Sequence, residues 1–167
     1  MQLRPLIGEI LDYYYWARDR QMEACAALTE EEFLRPLGGS FPSVRETLAH
    51  LARVEWLWLE RYLGRSPRAL PPAEDYLTLP AIQERWRQTE LAMCEYVAGL
   101  TEESLAETQT YVSTRGDQWT YSRWRMLYHF LNHQSYHRGQ VTNLLRQLGH
   151  AAPPVDFLNA LDARFGR

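Results

Sequence analysis

Lysine is absent from this 167-residue chain, in which all eighteen basic residues are arginine. That absence removes Schiff-base chemistry and the lysine-dependent phosphate-binding loop from consideration. Cysteine is nearly absent too. Cys25 and Cys94 stand singly inside helical patterns, without the paired spacing of a redox or zinc motif, and read as buried, reduced residues of a cytoplasmic protein. No apolar run is long enough to span a bilayer, and the first twenty residues are charged and amphipathic, unlike a secretory peptide. Basic clusters interleaved with aromatics are missing as well. With a net charge of −3 and a pI near 6.0, neither a nucleic-acid partner nor a membrane is expected.

What the chain does have is helical periodicity. Its length and 46% hydrophobic content suit one domain spanning residues 1–167, which at this size buries roughly 70% of its unfolded surface. A first helix runs from Pro5 to about Leu28, and Tyr13, Tyr14, Tyr15 and Trp16 place aromatics around most of its circumference. Core packing is the expected use of each ring taken singly, with some of the excess lining a pocket or a homodimer interface. Thr29 to Ser40 reads as a loop. Ser43 and Glu46 form the pattern of a capping box, opening a second helix over Val44–Leu63 that Gly64 stops. A proline-containing connection leads to Thr78, the expected cap of a third helix over Leu79–Leu100. Thr101 to Gln118 is a second connection, whose Thr108–Ser113 segment alternates like a short strand. Thr120 is the expected cap of a fourth helix ending at Leu148, with Gly149 beyond it, and Val155 to Phe165 forms a short C-terminal helix. The fold class is therefore all-α: a four-helix bundle with a short strand or hairpin between the third and fourth long helices.

The fourth helix carries the oddity. His129, His133 and His137 follow one another at intervals of four, a step of about 400° and about 6 Å that stacks neighbours on one face. Met126, Phe130, Val141 and Leu144 continue the apolar rhythm around them, so imidazoles occupy core-facing positions where each ring nitrogen needs a partner. A divalent metal supplies one. His129 and His137 stand about 12 Å apart along the axis, too far to share an ion, so this helix offers either His129 with His133 or His133 with His137. His50, in the middle of the second helix, reads by itself as a satisfied core residue. Glu55 points about 140° away from it.

Two motifs, TLAHLARVEWLWLERYLG around His50 and LNHQSYHRGQ around His133 and His137, resemble the DinB-like metalloenzyme superfamily along nearly the whole chain. The resemblance implies an up-and-down bundle with a non-standard helix order, often dimeric, in which three histidines bind one divalent ion. By motif position these are His50, His133 and His137, with His129 left as a neighbour one turn away. Three imidazoles leave a coordination position for substrate and suit zinc or nickel first, with iron or copper as well. Around them, Glu46, Gln134, Asn132 and His129 are candidate orienting groups. Gly139 would permit close helix approach, Arg138 would form an ion pair, and His150 would sit exposed in a loop. Trp16, Trp119 and Tyr121 are candidate substrate-pocket rings.

Similar proteins include transferases and isomerases that use a low-molecular-weight thiol, which implies a metal-dependent reaction between a small-molecule thiol and an electrophile. The alternatives are a metal-dependent hydrolase, for which no HExxH glutamate is present and Glu46 would have to serve as base, and a non-catalytic, stress-related metal-binding dimer.

Overall fold

The computed structural model describes residues 2–166, and of Phe165 only its place at the end of a helix. Four long helices make the frame: α1 (Leu3–Cys25), α3 (Val44–Tyr62), α4 (Leu79–Ala98) and α6 (Arg123–Gln147). Shorter pieces fill the connections: α2 (Glu30–Leu34), a 3-10 turn (Ala73–Tyr76), α5 (Glu102–Ala106), a hairpin of β1 (Thr108–Val112) and β2 (Gln118–Ser122), and α7 (Phe157–Phe165). Helix α6 packs between α1 and α3, while α4 closes the far side against α3 and, more lightly, α1. The first two long helices, α1 and α3, therefore face each other across a diagonal. Phe130, Leu48, Ile82, Met93, Met126 and Leu145 fill the centre, each less than 2% exposed.

Local chemistry explains most of the boundaries. The Ser43 hydroxyl accepts the Glu46 amide at 3.2 Å, and Thr78 accepts from Ala81 at 3.3 Å, each satisfying an otherwise orphaned helix-terminal donor. The expected capping box at Ser43 is only half formed, because the Glu46 carboxylate turns to Arg45 and the Ser43 hydroxyl instead of the backbone. Complete boxes stand at Thr29 with Glu32 and at Thr101 with Ser104. They open α2 and α5, so both segments expected to be loops contain a helical turn and a half.

The hairpin moves another boundary. Thr120 is not a helix cap: it lies in β2 opposite Thr110, with their hydroxyls 2.8 Å apart, and α6 begins at Arg123. Gly116 takes a φ of 101° in the tight reversal, a conformation that side chains disfavour. Strand alternation then divides the residues: the threonines share one face, while Gln109, Tyr111, Trp119 and Tyr121 share the face turned to α3 and α6.

The first helix uses its aromatic rings in two ways. Tyr14 and Tyr15 are buried, and Tyr13 meets Phe157 of α7 edge-on with ring centroids 5.2 Å apart. Trp16 is only partly exposed and lines a shallow cavity of about 280 Å³ with Tyr13 and Phe157. The ring excess is thus absorbed by the core and the C-terminal helix, which removes the exposed-aromatic argument for a dimer along this helix. The side chain of Phe165, expected to pack here, lies outside the described residues. Cys25 is buried as expected, whereas Cys94, expected to be buried too, is exposed; partial burial still raises the Cys94 thiol above its ordinary pKa. Among the described residues no helix is long and apolar enough to cross a membrane.

Candidate metal centre

Because α6 lies against α3, residues 83 positions apart in sequence meet. The Nε2 atoms of His50 and His133 are 3.3 Å apart, and one ring nitrogen from each of His50, His133 and His137 lies within 4.8 Å of the other two. The rings meet at steep angles, with centroids 4.6 Å apart for His50 and His137 and 4.5 Å for His133 and His137. Nitrogens bound to one tetrahedral ion at about 2.05 Å stand about 3.3 Å from each other, so the pair from His50 and His133 already has the spacing of a shared cation. These three side chains could hold a metal ion.

Electrostatics favours the ligating state. Burial first, and then the neighbouring histidines His137 and His133, push His50 down to about 3. Burial, then His137 and His129, hold His133 at about 4. Both rings are neutral at pH 7 and keep a lone pair for a ligand.

Several neighbours position the rings. Gln140 Oε1 stands 2.8 Å from His137 Nδ1 and accepts a hydrogen bond from its N–H, which leaves Nε2 as the lone-pair nitrogen; the Gln140 amide in turn donates to Ser40 at 3.0 Å. Gln134 donates to the Leu51 carbonyl at 3.1 Å. Since Gln134 follows His133 and Leu51 follows His50, this bond fixes the register of the two helices that carry the histidines. Phe41 stacks on His50 with centroids 4.1 Å apart and lies 5.5 Å from His137, covering one side. Neither Gln140 nor Phe41 stands out as an orienting group in the sequence. Gln140 had a local signal, three residues beyond His137 on the same helix, whereas Phe41 sits in a loop without periodicity.

The remaining candidates lie elsewhere. His129 is exposed, parallel to His133 at 6.1 Å, and closer to Trp58 at 5.2 Å. Asn132 is exposed, and Glu46 is held at the start of α3 by Arg45 and Ser43. Arg138 makes no ion pair among the described residues; its guanidinium rests 4.9 Å from the Tyr13 ring and donates to that hydroxyl. A β-carbon at Gly139 would meet nothing within 4 Å, so no helix approaches it closely. His150 is not a free loop residue, since its Nε2 lies 3.2 Å from Glu32 of α2. Glu55 points away from the histidines into the contact with α1 and α4, where Tyr15 donates at 2.8 Å, Trp86 at 2.5 Å, and Tyr14 as well.

Comparison with known proteins agrees with this architecture. The DinB family matches residues 1–164. Protein DinB of Bacillus subtilis (strain 168) is 25% identical over 156 residues, covering 89% of this chain and 90% of that protein. The uncharacterized protein YizA of the same organism is 25% identical over 150 residues, covering 90% and 92%. The crystal structure of a DinB-like protein from Bacillus cereus ATCC 10987 superposes with a TM-score of 0.65 at 20% identity, covering 88% of this chain and 95% of that one, a likeness of fold. With its sequence matched almost end to end and its bundle shared, this chain belongs to the DinB family.

Proposed function

We propose that His50, His133 and His137 bind one divalent transition metal, zinc or nickel before iron or copper, and that the protein is a metal-dependent thiol S-transferase or isomerase. The observation that carries the reading is the 3.3 Å approach of two neutral Nε2 atoms, with no carboxylate or cysteine joining the cluster among the described residues. Three neutral donors leave the net charge of a divalent ion uncancelled, which favours an anionic partner such as a thiolate. When bound, such an ion supplies the positive charge that lowers a thiol's pKa toward neutrality.

The chain's own groups set the geometry. Gln140 fixes the tautomer of His137, Gln134 holds α6 in register with α3, and Phe41 shields His50 from water. Transfer then forms a bond from sulfur to the acceptor's electrophilic carbon, the leaving group takes its bonding pair, and the thiol proton passes to solvent. Hydrolysis would require a base beside the cluster, and Glu46 is turned to Arg45 and Ser43 instead. The reading covers residues 1–167 as one domain of a cytoplasmic homodimer.

Cobalt titration of metal-stripped protein tests it. The wild type should develop the visible bands of a low-coordinate cobalt site, and glutathione, bacillithiol or mycothiol should add a sulfur-to-metal charge-transfer band. Replacing His50, His133 or His137 by alanine should weaken cobalt at least about a hundredfold, as expected for the loss of one of three donors. Unchanged cobalt affinity in these variants would overturn the metal site. Bands indifferent to every thiol, with no thiol-dependent consumption of monochlorobimane, would leave a non-catalytic metal protein. Light scattering during gel filtration reads the dimer.

A further inference from the structure

The hairpin builds something that the histidine cluster does not account for. Tyr111, Trp119 and Tyr121 lie on the strand face turned toward the helices, yet Trp119 remains 45% and Tyr121 41% exposed. Tyr111 packs edge-on against Trp58 of α3, ring centroids 5.5 Å apart, whereas Trp119 and Tyr121 stand over a cavity of about 370 Å³ that this pair lines together with Arg125 and His129 of α6. Sites for small organic ligands begin at about 300 Å³ and are lined by rings with a few charged groups. This one is walled by four aromatic side chains.

The charge around it has one sign. No acidic residue lines the cavity, and Arg125 forms no ion pair among the described residues, its guanidinium lying 5.0 Å from the Trp124 ring. Behind the wall Arg61 is 7% exposed and pinched between Trp58 and Tyr111, 4.6 and 4.5 Å from their ring centroids. It too has no carboxylate partner among the described residues, and its Nε is buried without a hydrogen bond. A buried guanidinium without a counter-ion is costly unless an anion offsets it. The aromatic faces stabilise it in part.

We infer that this cavity binds a planar aromatic carboxylate, its ring against Trp119, Tyr121 and the contacting pair of Trp58 and Tyr111, and its carboxylate toward Arg125 in the field of Arg61. His129 forms the shared edge: it lines the cavity and lies parallel to His133 at 6.1 Å. The inference rests on the thiol-transfer reading only for its purpose, namely that the ligand would be the acceptor presented to the histidine cluster. Binding itself needs no metal.

Calorimetric titration of the full chain with 2-naphthoate and its neutral counterpart 2-naphthalenemethanol, with and without zinc, tests it. Metal-stripped wild type should bind naphthoate with a sub-millimolar Kd, about tenfold tighter than the alcohol. Arg125→Gln should weaken naphthoate about tenfold while leaving the alcohol within about twofold, and Trp119→Ala should weaken both about tenfold. Both side chains are exposed, so neither change threatens folding. Equal affinity for the alcohol, or naphthoate binding untouched by Trp119→Ala, would overturn the inference. Binding only to the zinc-loaded protein would also overturn it, because the carboxylate would then sit on the metal. Loss of cobalt binding alongside intact naphthoate binding would sink the thiol reading and leave the cavity standing.

Discussion

Helix α3 carries two polar clusters five residues apart, on opposite sides, and they differ in saturation. Toward α1 and α4, the Glu55 carboxylate is fully buried and receives donors from Tyr14, Tyr15 and Trp86, so its oxygens are satisfied within the fold. Toward α6, the three histidines turn nitrogens at one another, and among the described residues only His137 Nδ1 has a dedicated acceptor. One cluster is complete. The other brings three ring nitrogens within 4.8 Å of one another, the arrangement that the proposed metal site requires. The two clusters therefore differ less in burial than in how many of their polar atoms are matched by the fold.

The two clusters part most strongly in the response to losing Glu55. Glu55→Ala strands three buried donors and opens a cavity, so it should cost roughly 3–5 kcal/mol of stability in urea denaturation while leaving cobalt affinity unchanged. Glu55→Gln keeps a carbonyl acceptor and should cost no more than about 1–2 kcal/mol. If Glu55→Ala instead weakened metal binding with no loss of stability, the assignment of the two clusters would be reversed. A smaller effect sharpens the other side. Gln140→Leu removes the acceptor that orients His137 and should lower cobalt affinity roughly 10–100-fold, with the denaturation midpoint nearly constant.

The smallest effect is in the pH profile, where the clusters have opposite signs. His50 and His133 fall from an ordinary value of 6.5 to about 3 and about 4 on folding. A base with a depressed folded pKa contributes stability that is fully present above about 6.5 and is lost as pH falls through the folded values. Burial raises the Glu55 carboxyl above its ordinary 4.5, against the pull of its three donors. Its contribution is fully present below about 4.5 and is lost as pH rises through the folded value. Metal-free His50→Gln should therefore lose part of the acid limb of the stability profile, and Glu55→Gln should lose part of the decline above pH 4.5. Superimposable profiles for wild type and both variants would show that neither group changes its protonation on folding.

Legibility followed range. Ser43, Thr78 and Gly149 mark boundaries through bonds or dihedrals within a turn of themselves, and their segments begin or end where the pattern indicates. The same Thr-x-x-Glu logic at Thr29 opens α2, a helix too short for apolar periodicity to announce. Thr120 misled because a threonine before an apolar helix has the same local appearance as one in the strand that feeds it; only pairing with Thr110 separates the two. At Gly139 and Arg138 the motif named the residues without their surroundings, and the structure supplies open space for one and Tyr13 for the other.

By itself the sequence determined the long helices, the four-residue spacing that puts His133 and His137 on one face, and the exclusion of lysine chemistry, since each depends on residue identity or on neighbours within about one helical turn. The tertiary structure decided that α6 packs between α1 and α3. From that follow the meeting of His50 with His133, the Gln134 tie to Leu51, and the cavity beneath Trp119 and Tyr121. Those contacts join residues separated by dozens of positions, and their partners are chosen by how whole helix faces fit together, a property that no local spacing encodes.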